Sequence, residues 1–487
     1  MSLLKKNILF NTLLSLSQLM FPLVTFPYAS RVLGPEVIGA VSFADNFTTY
    51  FLIFAALGIP MYGIREIAKV KDDRKKLGTV FSELLIIHIC TSLAAVLILF
   101  SISYFTDRLN VNFGLYQIGM AIVMSSVFTA EWFFQGLEKF KFIAVRSVCI
   151  RLFTVVLLFL FVHGVEDRDL YYGLNLVAVV ISAVINMFAI SKVVKLSYKG
   201  TSFKRHFRPL LIIFSNSIIT TVYLVFDTII LGFLTNDLHV GYYSAAMRIS
   251  KISMAIIGVL GAVLLPRLTI AFQQADHTAA KAIINKSLSF VIFLSVPIAL
   301  GTLCLSREIV FLFAGAKYSG SVVSLNILSF IVIVIGMAQV FSHQILLPLH
   351  QEKKILFASI IGMVISLSLN FSLIPFLKQE GAAISSLTTE FAVTVILFLY
   401  ARKALKITFP VTPFIQSLVT ALFFFVFRIL MLELTASPVL IILGTVILSG
   451  LFYGVVQLFI WKNKNVLEVL SGFPKFGFLK KYSDEQN

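Results

Sequence analysis

Runs of about twenty apolar residues recur from the N-terminus to Trp461, and they constrain the fold more than any other feature. A run of that length crosses the hydrocarbon of a bilayer as a helix, which is the element that bonds every backbone N–H and C=O within itself. Strands of a membrane barrel would read instead as short alternating segments, which the sequence lacks. With 59% hydrophobic and 13% charged residues over 487 positions, and a mean hydropathy of +0.96, a string of soluble domains is excluded. The expectation is an all-α polytopic membrane protein with about fourteen transmembrane helices joined by short loops.

The net charge of +17 would suggest nucleic acid in a soluble protein, but here its distribution decides. Lysines and arginines collect in alternate loops: Lys5 and Lys6, Arg65 to Lys76, Lys139 and Lys141, Lys192 to Arg208, Lys281 and Lys286, Lys353 and Lys354, Arg402 to Lys406, and Lys462 onward. The intervening loops offer only Arg31, Arg108, Arg168, Arg307, Lys317 and Lys378. The positive-inside rule puts the rich side in the cytoplasm together with both termini, which requires an even number of spans. No nucleic-acid partner is expected. The first apolar run is too long for a cleavable signal and should remain as the first helix. Cys90, Cys149 and Cys304 stand singly in apolar segments and read as buried free thiols. The histidines follow no metal spacing, so neither metal nor cofactor is expected.

Between the first two runs lies Pro22 to Asp45, with Pro22 and Pro27 inside the apolar run and Gly34, Pro35 and Gly39 beyond it. Each proline removes a backbone donor, so both are expected to bend the first helix and act as a hinge. The glycines are expected to form a tight reversal; their spacing fits no phosphate-binding loop. This corner has an echo. Leu33-Gly34 and Gly39-Ala-Val-Ser-Phe-Ala44 return as Leu231-Gly232 and Gly241-Tyr-Tyr-Ser-Ala-Ala246. A second, weaker echo pairs Gly136 to Ala144 with Pro348 to Leu356. Two parallel six-helix lobes follow, with helices thirteen and fourteen outside the repeat, an arrangement found in secondary transporters. The boundaries are 1–196 for the N-terminal lobe, 197–208 for a cytoplasmic linker, 209–406 for the C-terminal lobe, and 407–487 for the last two helices and a cytoplasmic tail.

The residues themselves resemble a known family. Pro27-Tyr28, Ser30-Arg-Val-Leu-Gly-Pro35, Leu57-Gly-Ile-Pro60, Tyr62-Gly-Ile-Arg-Glu-Ile-Ala68, Glu131-Trp-Phe-Phe-Gln-Gly-Leu-Glu138 and Asp227-Thr-Ile-Ile-Leu-Gly232 resemble the O-antigen and other oligosaccharide-lipid flippases of the multidrug, oligosaccharidyl-lipid and polysaccharide exporter superfamily. The resemblance implies two lobes forming a V, alternating access in the bacterial inner membrane, and a polyprenyl-diphosphate-linked oligosaccharide as cargo. It also implies membrane lipids and polysaccharide polymerase machinery as partners, and a chain that works as a monomer.

Ionisable groups at membrane depth cost about 2.5 to 3.5 kcal/mol each and should face protein or a wet cavity. Arg248 and Lys251 lie three apart in the eighth helix and share a face. A lipid diphosphate needs a permanent positive charge, and the guanidinium fork of Arg248 supplies one. The family resemblance points to the same residue for diphosphate contact. Arg146 and Arg151 enter the fifth helix from the basic side and join the substrate-binding candidates, as does Asn46, the repeat counterpart of Arg248. Glu83 is a further acid within an apolar run. Asp45, Asp227, Glu131 and Glu390 are candidates for a gate or for ion coupling, with Glu131 as a partner for Arg146 and Asp227 for a cation on the next helix.

A flippase is therefore expected, and not an enzyme. A multidrug cation exporter of the same superfamily would line its path with carboxylates to attract cations, whereas helix eight offers two cations. A membrane glycosyltransferase or polymerase would need acids or bases on sizeable outer loops; the loops are short, and Glu166-Asp-Arg-Asp169 reads as a solvated turn.

Overall fold

The computed structural model describes residues 3–195, 202–274 and 277–461, except for side chains at 3–19, at 277 and at most positions within 216–225 and 256–273. The heart of the expected linker and the tail beyond Trp461 lie outside the described residues, as do the side chains of Lys5 and Lys6. Among the described residues every regular element is a helix. The chain divides into two compact units, Met1–Gly241 and Tyr242–Asn487.

The first unit holds α1 (Leu3–Ala56), α2 (Ile59–Val70), α3 (Arg74–Phe105), α4 (Asp107–Asn110), α5 (Phe113–Ser126), α6 (Glu131–Gly136), α7 (Phe140–Phe161), α8 (Arg168–Ser191) and α9 (Lys204–Leu234), with the first turn of α10 (Asp237–Gln273). α1 breaks at Gly34, whose φ of 78° and ψ of 172° are open to glycine. Pro35 then starts the second half, where its missing N–H is no loss. Pro22 and Pro27 stay inside the helix before the break. Gly39 therefore lies a turn into a helix, not in the reversal itself.

A packed cluster sits at the lysine-rich end of this unit, around Phe81, Trp132, Phe133 and Phe134. Helices in lipid gain little from hiding apolar surface and associate through close packing, which small residues permit. Gly63 faces the Trp132 ring, and a Cβ on Gly136 would strike Ile67 at 2.7 Å. α2 and α6 thus meet nearly backbone to side chain.

The second unit continues α10 and adds α11 (His277–Cys304), α12 (Ser306–Phe313), α13 (Ser321–Leu328), α14 (Ile331–Gln339), α15 (Glu352–Leu405), α16 (Val411–Leu422), α17 (Phe424–Leu434) and α18 (Pro438–Val455). A π-helical stretch, Val340–Leu346, follows α14. α15 breaks at Lys378, with φ 51° and ψ −127°, a conformation costing a side-chain-bearing residue about 1–3 kcal/mol. Beyond it the chain folds back, since a Cβ on Gly381 would lie 2.8 Å from the Leu373 backbone. Tyr453 of α18 anchors the last helices by donating to the Phe293 carbonyl at 2.8 Å.

Ten segments among the described residues are long and apolar enough to cross a membrane. Two of them, Met20–Val70 and Glu352–Leu405, contain the breaks at Gly34 and Lys378 and each make two passes. α9 and α10, at 31 and 37 residues, complete about fourteen crossings.

Candidate functional site

Three polar clusters in the first unit tie together segments far apart in sequence. The first lies at the break between α5 and α6, where a short 3-10 turn, Val127–Thr129, presents the Thr129 carbonyl just before Ala130 adopts the left-handed region at φ 37°. The Asn186 side chain of α8 donates to that carbonyl, and its own oxygen accepts from Arg146 of α7. The other guanidinium nitrogen of Arg146 pairs with Glu131, the first residue of α6. Arg146 is 3% exposed at its side chain and Glu131 43%. The carboxylate therefore meets solvent while the guanidinium is enclosed. Arg151, one turn further along α7, lies 5.9 Å over the Phe21 ring and within electrostatic reach of Glu131. The structure thus gathers Arg146, Arg151 and Glu131 around one break.

The second cluster joins α2, α3 and the start of α9. Glu83 is fully buried. It accepts from the Ser202 backbone N–H at 2.6 Å, from Arg205, and from His206 Nε2 at 2.9 Å. The other ring nitrogen of His206 meets the Tyr62 hydroxyl at 2.9 Å. A carboxylate in a membrane helix is tolerable only when its charge is met in this way. Sequence reading placed Glu83 among the deep acids but missed its partners. The available signal was an arginine and a histidine side by side in the basic linker.

The third cluster lies at the lysine-poor end, where the two echoed corners touch. A Cβ on Gly39 would run into the Asp237 carbonyl, one on Gly241 into the Pro35 carbonyl, and one on Gly232 into the Phe43 ring. The backbones of the two corners are in direct apposition. Arg108 of α4 locks them: its Nη2 pairs with Asp237 at 2.6 Å, its Nε donates to the Gly232 carbonyl at 2.9 Å, and its guanidinium lies 5.4 Å over Phe43. Asn112 donates to Asp237 at 3.4 Å and accepts from Arg168 at 2.6 Å. Phe233 meets Phe43 edge-on at 5.3 Å.

The remaining sequence candidates are more dispersed. Asn46 donates back to the Ser42 carbonyl of its own helix at 2.8 Å. Asp45 is exposed and acts electrostatically on Tyr172, whereas Asp227 is 7% exposed and acts on Tyr50. In the second unit, Arg248 is half-buried and Lys251 exposed on α10, close enough that each charge acts on the other. One turn before Arg248, the Tyr243 hydroxyl bonds Ser386 at 2.8 Å, fixing α10 to α15, with half-buried Glu390 a turn beyond Ser386. No group of three or more metal-ligating side chains occurs among the described residues.

Residues 4–272, more than half the chain, match the family described as polysaccharide biosynthesis protein. The chain belongs to that family. It is similar to a putative O-antigen transporter of Escherichia coli K12, at 25% identity over 404 residues that cover 82% of this chain and 97% of that one. It is likewise similar to a probable low-salt glycan biosynthesis flippase of Haloferax volcanii, at 25% identity over 389 residues covering 75% and 79%. Among solved structures, a lipid II flippase in its inward closed conformation aligns with a TM-score of 0.73 at 15% identity, covering 94% of this chain and 99% of that one. An inward-facing multidrug resistance transporter of the same superfamily aligns at 0.67 and 14%, covering 80% and 94%. These likenesses give this family member the fold of that transporter superfamily and bear out the resemblance read from its motifs.

Proposed function

We propose that the protein is a flippase that moves a polyprenyl-diphosphate-linked oligosaccharide across the bacterial inner membrane by alternating access. The family match carries this reading, supported by relatives described as an O-antigen transporter and a glycan flippase over most of the chain. In this reading the lysine-rich loops and both termini face the cytoplasm.

Arg248 and Lys251 are the cargo's anchor. Two like charges acting on each other in a membrane helix are unfavourable alone and become favourable around a diphosphate. A cationic drug would meet repulsion at the same place. The touching corners are the outer gate, locked by Arg108, and they part when the cargo leaves. The Arg146–Glu131–Asn186 cluster stiffens the cytoplasmic mouth, with Arg151 as a second phosphate contact. Pro22 and Pro27 provide flexure ahead of the break at Gly34. The work is transport, with no bond of the cargo made or broken. The polymerase machinery is the consumer of the product, and a single chain suffices for turnover.

The deciding experiment measures lipid-linked oligosaccharide reaching the outer face of the inner membrane in cells carrying Arg248→Ala, with Arg248→Lys alongside. Loss of export in the first and partial export in the second is the expected result. Full export by Arg248→Ala would remove that residue from the mechanism.

A further inference from the structure

We propose that a cavity at the lysine-poor end of the second unit, between α12, α17 and α18, binds the phosphate headgroup of an anionic lipid through Arg307 and Arg428. The cavity measures about 760 Å³, within the range of small-molecule sites. Its charged lining is Arg307, Glu308 and Arg428, and its apolar walls include Phe311, Leu432 and Ile441.

The charges do not cancel. Glu308, 7% exposed at its side chain, takes Arg428 on both oxygens, at 2.7 and 3.4 Å. That fork holds the Arg428 guanidinium in one orientation and offsets the carboxylate's charge. Arg307, the residue before Glu308, also lines the cavity and makes no hydrogen bond or ion pair among the described residues. One net positive charge remains in a site with fixed geometry. The lysine-poor end of the first unit is different: there Arg31 donates to the Pro27 carbonyl, Arg108 pairs with Asp237, and Arg168 pairs with Asp169. A cation left without a partner at a membrane interface attracts anionic headgroups, and a guanidinium accepts phosphate oxygens two at a time.

The surroundings select a lipid over a free anion. Ile429, Leu430 and Leu434 on the same helix as Arg428 are 60%, 49% and 69% exposed, so the cavity opens beside an apolar surface on which acyl chains can lie. The inference does not depend on what the protein transports.

The test is native mass spectrometry of the full chain, released from nanodiscs of phosphatidylglycerol or of phosphatidylcholine. The chain should retain one phosphatidylglycerol at charge states that strip phosphatidylcholine. Arg307→Ala should lower that retention about tenfold, which is about 1.4 kcal/mol, and Arg307→Glu should abolish it. Arg307 is exposed, so neither change strands a buried partner, and an unchanged melting temperature confirms folding. Displacement by farnesyl diphosphate would identify the cargo's own diphosphate as the lipid source; resistance to it would identify a resident phospholipid. Equal retention of both phospholipids, unchanged retention in Arg307→Ala, or displacement by inorganic phosphate alone would overturn the proposal.

Discussion

Replacing Arg108 with Ala should open the contact between the two corners. Three interactions are lost together: the 2.6 Å pair with Asp237, the 2.9 Å bond to the Gly232 carbonyl and the stacking over Phe43. Hydrogen bonds to charged groups contribute about 1.5–3 kcal/mol and an exposed cation–aromatic contact about 0.5–1. Arg108 and Asp237 keep 25% and 21% exposure, so solvent screening puts the pair near its lower bound. The total is about 3.5–4 kcal/mol, which raises the open fraction about 300- to 700-fold at 1.4 kcal/mol per tenfold. The assay is the rate at which a membrane-impermeant maleimide labels Ser42→Cys from outside intact cells. Ser42 is 5% exposed on the first corner, and Cys90 and Cys149, the exposed cysteines, are first replaced with Ala. Arg108→Lys should label at an intermediate rate, because it keeps the charge without the fork. Labelling by Arg108→Ala within about twofold of its parent would refute the lock, and acceleration only from the cytoplasmic side would refute the orientation.

Glu83→Gln should lower stability by about 2–4 kcal/mol, because it leaves buried His206 and half-exposed Arg205 without their carboxylate; a melting temperature in detergent reads this, and an unchanged value contradicts it. Glu131→Ala should lower the same melting stability by about 3–5 kcal/mol, since it strands an enclosed guanidinium; Arg146→Met should lower it by about 1–3 kcal/mol, since water reaches the freed carboxylate but the buried Asn186 oxygen loses its donor. Gly241→Ala should impair closure at the corner by an overpacking penalty of about 1–3 kcal/mol, seen as faster labelling in the Ser42→Cys assay. Asp73 caps α3 by accepting from the backbone N–H groups of Lys76 and Lys75, which hold its carboxyl below the ordinary range. Its contribution is therefore present above its unfolded pKa of about 4 and fades as pH falls through the lower folded value. Hydrogen-exchange protection factors at the start of α3, which remove the intrinsic pH dependence of exchange, should fall on acidification in the parent and stay level in Asp73→Asn.

The membrane-spanning architecture was legible because twenty-residue apolar runs and alternating basic loops are local signals. The corners were legible too, but Gly39 was expected in the reversal and lies in a helix against Asp237. A glycine in sequence looks the same whether it supplies a left-handed turn or a close contact. The Glu131–Arg146 pair could be anticipated from two charges flanking one loop. Asn186 could not, being one more polar residue in an apolar helix, 40 positions from Arg146. Arg108 and Asp237 stand 129 residues apart, and no periodicity encodes which helices become neighbours. The pairing of Glu83 with Arg205 and His206 was hidden for the same reason, since they stand 122 and 123 positions from it in sequence.

The apposition of Gly39, Gly241 and Pro35 bears on the energy metabolism of the cell that carries it. An inner membrane holds a proton gradient, and any transporter whose closed state admitted a file of water would dissipate that gradient between turnovers. Side-chain gates leak when a rotamer flips, on a timescale of nanoseconds. In the proposed gate the contact at Gly39 and Gly241 is backbone against backbone and has no rotamer of its own to flip, leaving Arg108 as the side chain that locks it. Such a gate opens when whole helices move, so ion tightness at this corner is set by the slow motion that also releases the cargo.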